Sequence, residues 1–265
     1  MEKYLYSREL GRFILILKMI LKYQKAKILK FLKLHVIKSG GSMVLIYSFI
    51  FITGIFLGKF LNFCINEIIK NDEENKIKNC EYNFQNLLVE LTTGTIFLLL
   101  YIKYGLCLQL IKLYTLSCFI IVIGVIDFNT KYVYDNTAYG AIILGSTFII
   151  IEYINGYPIK DYIFGALLGG GIFLALILVT KSIYKKEVIG YGDLEVSIII
   201  GVFLGATSSI LIFALANILA TIICIYMIAK GESRKRTIPY TPFITIATFI
   251  VILYKDIIIR LISGN

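Results

Sequence analysis

The chain has no tryptophan, three prolines and one histidine, and charged side chains make up only 17% of its 265 residues. So little charge beside 58% hydrophobic residues excludes an ordinary soluble globular domain. The histidine, His35, sits in a basic N-terminal stretch, where it reads as an amphipathic-helix residue rather than a base or a metal ligand. Cysteine is sparse and poorly spaced for metal: Cys64, Cys80, Cys107, Cys118 and Cys224 are odd in number, and no two form a CxxC pair. They read as small buried hydrophobes, which argues against a zinc site or a disulfide framework.

A net charge of +10 invites a nucleic-acid reading, but its distribution does not support one. Residues 1–42 hold ten Lys or Arg against Glu2 and Glu9, whereas residues 43–265 hold seventeen against fifteen acids. The body therefore lacks the interleaved basic and aromatic surface that tracks a phosphate backbone. Within the tail, Phe13 to Ile37 places Lys18, Lys22, Lys25, Lys27, Lys30 and Lys33 among apolar residues, a helical spacing suited to an anionic membrane surface. The simpler expectation is that Met43 is the natural start, since Ser39-Gly-Gly-Ser42 is what a purine-rich ribosome-binding sequence encodes. Two regions result: a basic extension over 1–42, and a membrane domain over 43–265 with a short first connection near 67–86.

What the sequence has in abundance is long apolar runs. A bilayer crossing needs about 20 apolar residues, and Gly, Pro and charge clusters divide the body into crossings near 43–66, 87–103, 106–126, 137–156, 162–183, 196–209, 211–229 and 239–258. The expected fold is an all-α bundle of about eight transmembrane helices. The pair from 196 to 229 is one unbroken apolar run, with Gly205-Ala-Thr-Ser-Ser209 as its only plausible turn. Odd-numbered connections hold eleven Lys or Arg and even-numbered ones with the C-terminus five, which puts the odd connections in the cytoplasm.

Acids at membrane depth are costly and tend to be functional. Asp127 closes the third crossing and Asp193 precedes the sixth, both at the cytoplasmic edge by this topology. Two carboxyls held close in a poorly solvated site do not both ionise readily, so one keeps a proton while the other accepts one from water. That combination hydrolyses peptide bonds. Gly190 and Gly192 fit it, because residues without a Cβ allow close backbone approach and a tight turn.

Gly190-Tyr-Gly-Asp193 resembles the GxGD motif of membrane aspartic proteases, and Asp127 followed by Asp135 resembles the paired-Asp element of bacterial type IV prepilin peptidases. Gly58-Lys-Phe-Leu-Asn62, Leu88-Val-Glu-Leu91 and Ile238-Pro-Tyr-Thr-Pro242 resemble further elements of that family, in its order, over about 43–258. The resemblance implies an aspartic endopeptidase with Asp127 and Asp193 as catalytic pair, and Glu90, Asp135, Gly190 and Gly192 lining or shaping the site. It also implies prepilins or pseudopilins as substrates, cleavage after a short basic leader, and a multi-pass protein of the bacterial inner membrane with its site facing the cytoplasm. No metal or cofactor is needed for that reaction.

Many family members also methylate the new N-terminus with S-adenosylmethionine, and the longer ones carry two CxxC pairs thought to bind zinc. Here the corresponding segment has only Cys80, Lys59 replaces a Ser, Asn66-Glu67 stands where Tyr-Arg is common, and Glu195 replaces a Lys. These departures count against methylation and leave the peptidase pair intact. Two other readings of the same acids are a GxGD protease acting on signal peptides and a proton-coupled transporter. An internal repeat, the usual mark of a transporter, is not evident. Asp135 reads equally well as an N-cap, Glu90 as a carboxylate favoured by a helix N-terminus, and Gly165 with Gly169 as a helix-packing pair.

Overall fold

The structure, a computed structural model, describes residues 42–70, 84–185, 190–231 and 238–263. The expectations for the N-terminal extension and for Cys80 lie outside the described residues. Among these residues the backbone is almost entirely helical and contains no strand, and a helix satisfies its own backbone polar groups within lipid. Among the described residues, seven helices are long and apolar enough to cross a membrane: α1 Ser42–Lys70, α2 Phe84–Tyr104, α3 Leu108–Thr130, α4 Asp135–Ile154, α5 Lys160–Tyr184, α6 Tyr191–Ala229 and α7 Thr241–Ser263. The chain is a multi-pass helical membrane protein.

The two crossings expected between 196 and 229 share α6, whose 39 residues contain a break at Gly205 with φ 77° and ψ 176°. Only glycine adopts that backbone without strain. It divides α6 into α6a (191–204) and α6b (206–229), and the chain turns back on itself there. Gly165 of α5 lies against Gly201 and Gly205, while Phe173, farther along α5, packs edge-on against Phe213 at 5.4 Å. A straight helix would carry Phe213 about 12 Å beyond Gly205 and away from Phe173. Asp161 Oδ1 accepts from the Ala206 N–H at 3.2 Å, satisfying one of the donors exposed where α6b begins. The eight expected crossings therefore appear as eight helical segments, the break falling at Gly205 alone with helix resuming at residue 206.

Within lipid, apolar side chains gain little by leaving the solvent, so close packing holds helices together. Gly165 and Gly169 do act as packing residues: a Cβ at Gly169 would lie 2.6 Å from the Ser197 carbonyl oxygen of α6a. At Gly58 of α1 a Cβ would lie 2.6 Å from Glu90 Cα of α2. The central helix is α3, which touches α1, α2, α4, α6 and α7. Its Leu113, Leu116, Ile120 and Ile123 are buried with Ile199, Ile200 and Phe203 of α6a and Ile244 and Val251 of α7. Phe49, Phe56 and Phe63 of α1 face outward, as expected where the solvent is lipid. The cysteines depart from expectation: Cys64, Cys118 and Cys224 are half-buried and Cys107 is exposed, so none of these four is a core residue.

Candidate active site

Asp127 lies in the last turn of α3, which runs on to Thr130 and ends with Lys131 in the left-handed conformation at φ 60°. Its carboxyl is 6% exposed, and Oδ2 accepts from the backbone N–H of Thr241 at 3.1 Å. Thr241 is the first residue of α7, so a side chain from α3 satisfies one of the unpaired donors at that helix start. A carboxylate there is also favoured by the helix dipole.

Asp193 is the third residue of α6a, not a loop residue before it, because helix begins at Tyr191 with extended Gly190 as its N-cap. It is half-buried and within electrostatic reach of Asp127. The hydroxyl of Thr241 faces both carboxyls, yet its buried Oγ1 closes no hydrogen bond of good geometry. Tyr240, in the turn before α7, is half-buried with a buried, unpaired hydroxyl. Burial first, and the nearby Asp193 second, push this phenol up to about 12. Two carboxyls from separate helices thus meet around the first residues of α7. Thr241 and Tyr240 belong to a motif quoted from the sequence, but its order along the chain carries no sign of where they lie.

The glycines divide in role. A Cβ on Gly192 would meet Val133 Cβ at 2.6 Å, so that space is filled by Val133 rather than open to a substrate. At Gly190, among the described residues, only the Gly192 nitrogen comes within 4 Å of where a Cβ would lie. Asp135 is the first residue of α4, and the N-cap is Tyr134, which makes no side-chain cap bond. The N-cap reading of Asp135 is therefore corrected: it is exposed, and its electrostatic neighbour is Glu195 on α6a. Glu90 is the seventh residue of α2, past the first turn where the dipole acts. It is buried and accepts from Asn62 Nδ2 at 3.4 Å, while the same amide donates to the Asn86 carbonyl at 2.9 Å. The motifs around Gly58–Asn62 and Leu88–Leu91 are therefore two sides of one α1–α2 contact.

At the other end of the bundle the structure reveals a feature that the sequence reading did not pick out. Lys112 Nζ bonds Glu152 Oε1 at 2.7 Å, both groups buried, and lies 3.9 Å from the Tyr162 ring centroid. Lys112 is fifteen residues before Asp127 on α3, about 22 Å along the helix.

Fold and acids together define a polytopic membrane protein with a carboxyl pair at one end of its bundle. Residues 114–225, which include both acids, match the profile of the Type IV leader peptidase family. Over those residues the chain is similar to that family. It is 24% identical over 171 residues to a "Prepilin leader peptidase/N-methyltransferase" of Pseudomonas putida, covering 64% of this chain and 58% of that protein. To a protein of the same name in Xanthomonas campestris pv. campestris it is 26% identical over 176 residues, covering 66% and 60%. A "Leader peptidase HopD" of Escherichia coli is 27% identical over 111 residues, 41% of this chain and 72% of the relative. The chain thus matches less than two thirds of the length of the first two curated relatives. No solved structure matches it.

Proposed function

We propose that this protein is an aspartic endopeptidase of the bacterial inner membrane that removes the leader from type IV prepilins or pseudopilins at the cytoplasmic face. The observation that carries the reading is the meeting of Asp127 and Asp193, from α3 and α6a, around Thr241. In this reading one carboxylate takes a proton from a bound water as the oxygen attacks the scissile carbonyl carbon. The other, protonated, carboxyl donates to the carbonyl oxygen. When the tetrahedral intermediate collapses, the C–N bond breaks and the amine leaves with a proton from the carboxyl that received the water's. Water is consumed, and neither metal nor cofactor takes part. The excess of basic residues on the odd-numbered connections supports the cytoplasmic orientation.

Lys59, Asn66, Glu67 and Glu195 depart from the residues usual at these positions in the family resembled, which counts against the N-methylation in the relatives' names. The test is cleavage of a co-expressed prepilin by wild type, Asp127→Asn and Asp193→Asn. General acid–base groups typically contribute about 10²–10⁴-fold each, so each variant should lose cleavage while accumulating normally in the membrane. Cleavage undiminished in either one overturns the assignment.

A further inference from the structure

At the end of the bundle away from the carboxyls, α3, α5, α6 and α7 surround a cavity of about 180 Å³. Lys255 places it on α7, about 21 Å along that helix from Thr241. Tyr104 of its lining ends α2, and Gln109, Asp161 and Ser208 stand in the first turns of α3, α5 and α6b. The cavity is therefore level with helix ends, at the depth where lipid headgroups begin.

A charge inside a membrane protein needs a partner, and most of those here have one. Lys112 Nζ is bonded by Glu152 Oε1 at 2.7 Å. Asp161 gives Oδ1 to the Ala206 N–H at 3.2 Å and turns Oδ2 toward Gly205, so its charge serves the start of α6b, where a carboxylate is favoured. Asp256 is exposed and lies 3.9 Å from Lys103. Lys255 is the exception. It is half-buried, makes no ion pair among the described residues, and spends one proton on Ser208 Oγ at 2.8 Å. Ser208 is buried, and its hydroxyl accepts that proton without donating to any group among the described residues. An ammonium with protons to spare and a hydroxyl proton thus meet in one cavity, where the only carboxylate of the lining is engaged elsewhere. Around it, Lys103, Lys112, Lys160, Lys255 and Arg260 stand against Glu152, Asp161 and Asp256, an excess of positive charge.

We propose that this cavity binds a phosphate group, with the Lys255 ammonium as its counter-charge and the Ser208 hydroxyl and Gln109 amide as further donors; the inference is independent of the peptidase reading. The donors come from α7, α6b and α3, and such separate directions suit a tetrahedral oxyanion better than a planar carboxylate. The space equals that of about six waters at roughly 30 Å³ each, which accommodates a phosphate but not acyl chains. Free phosphate would enter whole, whereas a phospholipid would insert its headgroup and leave its chains outside, as at basic pockets between membrane helices. Either source ties α3, α6b and α7 together and stabilises the folded state by mass action.

The test is thermal unfolding of the full-length protein in phosphate-free detergent. One arm adds inorganic phosphate against sodium chloride of equal ionic strength, and the other adds a short-chain phosphatidylglycerol against the diacylglycerol of the same chains. The expected result is a melting temperature that rises with inorganic phosphate beyond chloride, which identifies the free ion, or with phosphatidylglycerol alone, which identifies the headgroup. Lys255→Gln should then need at least about tenfold more of the active probe for the same rise. Gln109→Glu, an exposed change that the start of α3 tolerates, should weaken the response similarly through repulsion. No rise with either phosphate-bearing probe, a rise matched by chloride or by the diacylglycerol, or a full response in Lys255→Gln overturns the proposal. If Lys255→Gln fails to accumulate, a full response in Gln109→Glu overturns it in its place.

Discussion

The backbone N–H of Thr241 donates to Asp127 Oδ2 across 3.1 Å, tying the last turn of α3 to the first residue of α7. Because the donor is main chain, the contact survives any side chain at 241 that keeps the helix start, and the role of the hydroxyl can be examined separately.

Thr241→Val preserves shape and the N–H but removes the hydroxyl that faces both carboxyls. Oγ1 closes no hydrogen bond of good geometry, so the change should cost less than about 1 kcal/mol of stability. Cleavage of a prepilin should nevertheless fall about tenfold or more if the hydroxyl helps to orient the pair. Thermal unfolding in detergent beside kcat/KM separates the two effects.

Gly192→Ala places a Cβ 2.6 Å from Val133 Cβ. The turn carrying Asp193 must then shift, and activity should drop at least about tenfold, since small displacements of catalytic groups are expensive. Val133→Ala in the same chain makes room. The double variant should recover most of the loss, with a coupling of about 0.5–3 kcal/mol in a double-mutant cycle. Simple additivity would mean that Gly192 is needed for a reason other than its packing on Val133.

Lys112→Met leaves Glu152 buried without the cation that bonds it at 2.7 Å. Breaking a buried pair costs about 3–5 kcal/mol, whereas replacing both partners by apolar residues is often neutral. The single variant should therefore melt well below wild type, and Lys112→Met/Glu152→Leu close to it. With the pair about 22 Å from Asp127 along α3, cleavage by the double variant should stay near the wild-type rate.

Tyr240 supplies a pH signature. Its phenol is raised from the ordinary value of 10 to about 12 by burial and then by Asp193. Below pH 10 folded and unfolded states both hold the proton and stability is unaffected; between 10 and about 12 only the unfolded state releases it, so stability is lost as pH rises through that window. Tyr240→Phe should remove this part of the alkaline decline, visible as a shallower fall in melting temperature than wild type above pH 10. Parallel curves would show that Tyr240 does not titrate differently in the two states.

Much of the architecture is local and therefore legible in the sequence. Apolar runs about 20 residues long announce crossings one at a time, and the break in α6 falls at Gly205, a residue type that adopts φ 77° without strain. Asp127 and Asp193 stand out as carboxylates where lipid penalises charge. Other features depend on which helices are neighbours, a relation that hydropathy does not encode. Thr241 is 114 residues from Asp127, Val133 reaches Gly192 only because α4 starts beside α6a, and Lys112 finds Glu152 across 40 residues. The cavity between α3, α5, α6 and α7 is a gap left by packing, with no sequence signature of its own. Sequence alone thus located the apolar helices and the acids near their ends. Tertiary packing decided what those acids face, because close fit at glycines and buried polar pairs selects helix neighbours once every helix is equally at home in lipid.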